Sequence, residues 1–226
     1  MSCLILNIDT ATPDASICLS EEGRNLGLLK NDDQKDHAAW LHVAIGDLLQ
    51  QCGHELKDLD AVGVTSGPGS YTGLRVSMAA AKGFCYTLGK PLLLENTLKV
   101  MAWSAIQQSV APDLFLYCPM IDARRMEVFT AIYNANLEEK LSPSAMVLDE
   151  KFSGYFPSGI EMIVFGSGSE KYRPLAAETP VRLATIHTDA SHLAFLTALK
   201  YAKGEFSPVS TAVPFYGKAF FTPPVK

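Results

Sequence analysis

Ser66–Arg75, SGPGSYTGLR, sets three glycines and a proline between two apolar segments of different period. Upstream, Ala61–Thr65 (AVGVT) reads as a buried strand. Downstream, Leu74, Met78, Ala81, Cys85 and Leu88 share one helical face, closed by Gly89 and Pro91. The decapeptide therefore turns a strand sharply into a helix. Glycine tolerates positive φ and close backbone approach, while Pro68 stiffens the turn. Ser70 or Thr72 is expected to cap the helix with its side-chain oxygen. The first-turn N–H groups could hold an anion. Spacing alone reads the segment as a structural elbow.

Three catalytic loops fail against it. A Walker loop needs Lys then Ser or Thr after its last glycine, but Leu74 and Arg75 follow Gly73. The dinucleotide fingerprint needs another glycine spacing. A nucleophile elbow needs Gly-x-Ser-x-Gly, whereas Ser70 follows Gly69 directly and has Thr72 two places on.

Outward from the elbow the chain alternates strands and helices. Cys3–Ile8, Ala15–Leu19 and Leu26–Leu29 are expected strands. Lys35–Gln51 is an expected helix with Leu41, Ile45, Leu48 and Cys52 on its stripe. Leu92–Leu94 and Thr97–Gln108 continue as strand and helix. Phe115–Ile121 and Val128–Tyr133 pair as strands, and Asn134–Asn136 turns into a weaker segment. Met162–Phe165 is a strand ending at Gly166-Ser167-Gly168, Ala190–Ala202 a helix, and Thr222–Lys226 a loose tail. The order βββαβα followed by a degraded echo implies an α/β fold of two similar halves. The expected boundaries are 1–105, joined by 205–226, and 106–204.

Composition excludes several classes. Of 226 residues, 48% are hydrophobic and 19% charged, which suits a globular chain. A net charge of −5 gives no general attraction for phosphate backbones, so any link to nucleic acid is expected to run through a partner. The five scattered cysteines read as buried thiols of a reducing compartment. The start MSCLILNIDTATPD reads as a strand, and no apolar run reaches the roughly 20 residues of a membrane span. A cytoplasmic location without membrane contact is expected.

SGPGSYTGLRVSMAAAKGF resembles the TsaB (YeaZ) family, with further matches at IDTAT (Ile8–Thr12), DARRMEV (Asp122–Val128) and Pro214-Phe215-Tyr216. The resemblance covers nearly the whole chain and implies two actin-like halves of mixed sheet, of the sugar kinase, Hsp70 and actin superfamily. The glycine segment is shared with the sister family TsaD, the metal-binding subunit that transfers threonylcarbamoyl to adenosine 37 of tRNA. That sister carries His-x-x-x-His shortly downstream, and Thr97 and Met101 stand at those positions here. Neither suits that metal, and the chain is shorter than a TsaD-like protein. The resemblance therefore implies a subunit with no catalytic residue and no cofactor or metal site of its own, with weak or shared ADP or ATP binding at a partner boundary left open.

The implied role is a scaffold for a TsaD-like subunit, together with a TsaE-like ATPase, touching tRNA only indirectly. The helices Ala38–Gln51 and Leu74–Leu88 are expected to pack against a matching pair from TsaD or from a second copy. Small residues Ala79, Ala80 and Gly83 allow close approach, and Trp40, Val43 and Ala44 lie off the main stripe. Gly67, Pro68, Gly69, Tyr71, Thr72 and Gly73 would shape the docking elbow. Leu41, Leu74 and Met78 would build or support the pair, with Arg75, Ala79 and Lys82 on the helix. Replacing Met78 or Ala79 by Arg is expected to abolish association while the fold survives.

The residues leave two alternatives. Asp9 and Gly166–Gly168 could mark an active small-molecule kinase or ATPase, although no glycine lies between Asp9 and Ser20. A peptidase would need a nucleophile–base pair, which is not visible. His37 and His42 diverge by about 140° on a helix, and His54, His187 and His192 are scattered. Asp122, Arg124, Arg125 and Glu127 read first as a salt-bridged turn and second as a partner contact.

Overall fold

The computed structural model describes residues 3–31, 37–156, 159–178 and 180–218. In chain order its main elements are β1 (Leu4–Asp9), β2 (Ser16–Glu21), β3 (Arg24–Lys30), α1 (His37–Gln51), β4 (Ala61–Gly67), α2 (Tyr71–Leu88), β5 (Leu92–Asn96) and α3 (Thr97–Gln107). Then follow β6 (Phe115–Asp122), β7 (Glu127–Tyr133), β8 (Glu139–Val147), β9 (Glu161–Phe165), α4 (Ser169–Tyr172), β10 (Val181–Ala184) and α5 (Ala190–Lys203). Of the expected helix start, Lys35 and Asp36 lie outside the described residues, as does the tail Thr222–Lys226.

The chain divides into two units, Met1–Ala105 with His187–Phe215, and Ile106–Ile186 with Tyr216–Lys226. Each holds a five-stranded mixed sheet, ordered β3-β2-β1-β4-β5 in the first and β8-β7-β6-β9-β10 in the second. In both, the first three strands of the unit pair antiparallel and the last two join in parallel. The echo in the sequence is therefore a repeat of topology. β8 is the weaker segment after the Asn134–Asn136 turn. β10 is not among the strands expected from the sequence.

In the first unit β1 is central and buried along its whole length, as expected of a strand covered on both faces. One face carries Leu6, Ile8, Ile17 and Leu19 against Leu41, Ile45 and Leu48 of α1 and Met78, Ala81 and Cys85 of α2. The other lies beneath α5. There Ile5, Ala61 and Leu93 meet Ala198 and Tyr201, and buried Asn7 is satisfied by Thr197 Oγ1 (2.6 Å) and Ser20 Oγ (2.9 Å).

Helix α5 corrects the expected division, which put 106–204 in the second half. Its buried stripe Ala190, Leu193, Ala194 and Thr197 seals the first sheet, and Ala190 N donates to Ser16 Oγ at 2.9 Å. The chain returns to the first unit at His187, before the helix.

The second unit buries Leu116, Cys118, Met120, Val128 and Val164 with an aromatic cluster of Phe152, Phe156 and Tyr172. Gly168 lies so close to β6 that an added Cβ would stand 3.1 Å from the Ile121 carbonyl carbon.

All five cysteines are free. Cys18, Cys85 and Cys118 are buried, Cys3 and Cys52 half-buried. Burial pushes the Cys18 and Cys118 thiols up to about 12, so both are inert near neutral pH. No helix among the described residues is long and apolar enough to cross a membrane.

Candidate functional site

The elbow's glycines answer to three close approaches within the first unit. Gly67 has φ +112°, and a Cβ there would lie 2.2 Å from the Phe215 carbonyl oxygen. A Cβ on Gly69 would lie 2.2 Å from Ala11 O, and one on Gly73 2.0 Å from Thr10 O. The backbones are bonded as well as close: Ser70 N donates to Ala11 O and Phe215 N to Ser66 O, both at 2.7 Å. Ser70 is the cap, accepting from Gly73 N at 3.3 Å. That cap starts the helix at Tyr71, a turn earlier than the apolar stripe suggested. With Ser70 N and Gly73 N bonded internally, the elbow locks the end of β1 and the C-terminal segment to α2.

That C-terminal segment works as a strap. Ser207 forms an antiparallel bridge to Leu92 on β5, Val209 and Ala212 join the core, and Lys82 Nζ donates to Ala212 O at 2.9 Å and Ser210 O at 3.4 Å. Lys82 thus holds its own chain.

The residues singled out from the sequence fall into two groups. Gly67, Pro68, Gly73, Leu74, Met78 and Leu41 are buried. Leu41, Leu74 and Met78 are only 0%, 0% and 3% exposed, so they support the helix pair from beneath. Tyr71, Thr72, Arg75 and Ala79 are exposed and Gly69 half-buried. Arg75 donates to Tyr71 Oη at 2.6 Å and sits over its ring. Burial of Met78 corrects the expectation for Met78→Arg: a charge there would disrupt the core. Ala79, one residue on, is the position that suits the test.

Between α1 and α2 lies an apolar groove of about 570 Å³, lined by Ala38, His42, Val76, Ala79, Gly83 and Phe84 among others. His42 packs on Phe84 with ring centroids 5.9 Å apart. On the same two helices Val43 and Tyr86 are 65% and 86% exposed. Gly46 on α1 and Gly83 on α2 are mid-helix, and a Cβ on either would meet nothing within 4 Å. Nothing within the chain calls for a glycine at these two positions, unlike the elbow. Gly46 and Tyr86 were missed at the sequence level, where a glycine inside a helical pattern was the available signal. The side chain of His37 lies outside the described residues.

Asp9, at the end of β1, is buried and accepts from Thr65 Oγ1 (2.8 Å) and Ala11 N (3.0 Å). Burial pushes its carboxyl above the usual value, against those two bonds. Asp189 caps α5 and meets Lys30 at 2.7 Å and His192 at 3.3 Å. Burial alone would raise its pKa, but hydrogen bonds from His192, Lys30 and Ser191 outweigh that and hold it well below the usual value.

A family model described as TsaD, tRNA N6-adenosine threonylcarbamoyltransferase, matches residues 24–161. The tRNA threonylcarbamoyladenosine biosynthesis protein TsaB of Bacillus subtilis is 27% identical over 221 residues, 94% of this chain and 93% of its own. TsaB of Escherichia coli is 27% identical over 224 residues, with the same coverage. The chain belongs to the TsaB (YeaZ) branch of the TsaD family. The solved structure of YeaZ from Pseudomonas aeruginosa overlays on 95% of the chain with a TM-score of 0.79 at 28% identity, covering 99% of its own length. A second solved structure, described as an uncharacterized protein with similarity to peptidase YEAZ from Pseudomonas aeruginosa, gives 0.81 at 25% identity and covers 96% of this chain and 100% of its own.

Within this TsaB-type fold, Thr97 and Met101 are 1% and 5% exposed on α3, and α3 also carries Ser104, whose hydroxyl donates to His187 O at 2.6 Å. Among the described residues no three His, Cys, Asp or Glu side chains gather as a metal site would require. The acidic members of the DARRMEV turn are salt-bridged, Asp122 to Lys171 and Glu127 to Lys218.

Proposed function

We propose that the protein is a cytoplasmic, non-catalytic scaffold for a TsaD-type threonylcarbamoyltransferase in tRNA threonylcarbamoyladenosine biosynthesis. Its family ties it to that pathway. The groove between α1 and α2 carries the scaffold reading: a cavity of about 570 Å³ with apolar lining, on two helices that also expose Val43 and Tyr86. Gly46 and Gly83 add to it, because a mid-helix glycine without internal need suits close approach by another backbone. A matching helix pair from the partner would fill the groove in a four-helix arrangement, and a second copy of this chain would compete for the same surface. A TsaE-type ATPase completes the assembly, and any ADP or ATP is held at a partner boundary.

The kinase reading has less support. Asp9 is committed to Thr65 and Ala11, and Gly69 and Gly73 press against the turn that follows it.

Co-purification with a TsaD-type partner, followed by nucleoside analysis of modified tRNA, tests the proposal. Ala79→Arg is expected to abolish co-purification and lower the modification while thermal stability stays near that of the parent. Undiminished co-purification would sink the proposal.

A further inference from the structure

The DARRMEV turn has no part in the scaffold reading. It closes the hairpin between β6 and β7, with Ala123 N donating to Glu127 O at 3.1 Å and Glu127 N to Arg124 O at 3.2 Å. Arg124 and Arg125 stand in succession in the left-handed region, at φ 67° and 50°. Glycine and asparagine enter that region far more readily than arginine. Local folding does not call for arginine here. The turn is held by main-chain bonds and by Asp122 Oδ1, which accepts the Arg124 backbone N–H at 2.6 Å.

Both arginines are exposed, as is Met126 beside them. Neither guanidinium has a hydrogen-bond or ion-pair partner among the described residues. The turn's own two carboxylates form ion pairs with lysines, Asp122 with Lys171 at 2.6 Å and Glu127 with Lys218. Lys171 Nζ also donates to Glu127 O at 3.2 Å. The turn and its two lysine partners thus carry four cations against two carboxylates, a positive excess within that group on a chain of net charge −5. An excess placed against the overall charge, on a backbone conformation unfavourable to its residues, is a feature that folding alone does not explain.

We propose that the Arg124–Arg125 turn binds the phosphodiester backbone of RNA, giving the protein a direct contact with nucleic acid in addition to any made through its partner. The inference rests on the tRNA-modification reading for its choice of ligand. A guanidinium fork matches phosphate oxygens in pairs, and the flanking ammonium groups of Lys171 and Lys218 extend the positive surface. Such contacts position a nucleic acid without reading its sequence. An acidic protein surface is the competing ligand.

The double variant Arg124→Asn/Arg125→Asn keeps residues tolerant of positive φ and removes both charges. Binding of labelled tRNA is followed by fluorescence anisotropy across a salt series, for the protein alone and for its complex with a TsaD-type enzyme. The variant is expected to lose about tenfold in tRNA affinity at low salt, with the slope of log affinity against log salt reduced by about 1 to 2. Its melting temperature should stay level or rise. Equal affinity and slope in parent and variant would overturn the proposal, as would absence of tRNA binding by the parent in both states. Retained tRNA binding with loss of partner capture would assign the turn to a protein surface, again overturning it. If the parent fails to capture the enzyme, the scaffold reading falls, while anisotropy on the protein alone still decides the RNA contact.

Discussion

The carbonyl oxygen of Thr10 lies 2.0 Å from where a Cβ on Gly73 would stand, and the hydroxyl of the same threonine donates to the Gly73 carbonyl at 2.7 Å. One residue at the end of the central strand thus presses on helix α2 and bonds to it. The contact needs a glycine because backbone, unlike the end of a flexible side chain, cannot move aside cheaply. Through it the β1–β2 turn, the elbow and α2 become one packed piece.

Gly73→Ala is therefore expected to destabilise the protein by about 1–3 kcal/mol, the usual cost of overpacking a tight site. For a chain of this size that corresponds to a fall of roughly 5 °C in melting temperature. Thermal denaturation followed by circular dichroism reads it directly. An unchanged melting temperature would mean that the approach of Thr10 relaxes at little cost.

Much of this was legible in the sequence. The elbow showed in its glycine spacing, and β1 in an apolar run too continuous for a strand with one wet face. The stripe Leu74, Met78, Ala81 and Cys85 was visible as a helical face, but period alone does not say what covers a face. Here the first sheet covers it, and the exposed side of the helix carries Ala79, Gly83 and Tyr86. Small residues on a helix carry little periodic signal. The allegiance of α5 was hidden for another reason: its anchor, Ala190 N to Ser16 Oγ, spans 174 residues of sequence. Adjacency along the chain points to the wrong half. The partners of Lys82 were hidden in the same way, because the carbonyls it meets lie 128 and 130 residues away.

Gly46 and Gly83 allow a prediction in which stability and assembly move in opposite directions. A Cβ at either site meets open space, so Gly→Ala in these helices should stabilise the isolated protein by about 0.5–1 kcal/mol each. In the proposed scaffold arrangement the same methyl groups would stand in the path of a partner helix. Gly46→Ala/Gly83→Ala is expected to raise the melting temperature while weakening capture of a TsaD-type partner. Higher stability with unchanged capture would place the partner elsewhere.

Asp189 gives a prediction with a defined sign in pH. Its carboxyl is held below the ordinary 3.8 because hydrogen bonds from His192, Lys30 and Ser191 outweigh the effect of burial. A depressed acid stabilises the fold above its unfolded pKa, and the contribution is lost as pH falls toward the folded value. Asp189→Asn keeps a capping oxygen for Ser191 N but removes the charge that faces Lys30. The variant should be less stable than the parent near pH 7 by about 1 kcal/mol, a figure held down because the lysine is half exposed. The gap should persist down to about pH 4 and narrow below it. Asp9, whose carboxyl is raised by burial, works in the opposite sense. It is present in both proteins, so its slope cancels in the difference apart from its repulsion by Asp189. Urea denaturation of parent and variant from pH 7 down to pH 3 tests the point, and equal stability of the two proteins near pH 7 would show that Asp189 is not held by Lys30.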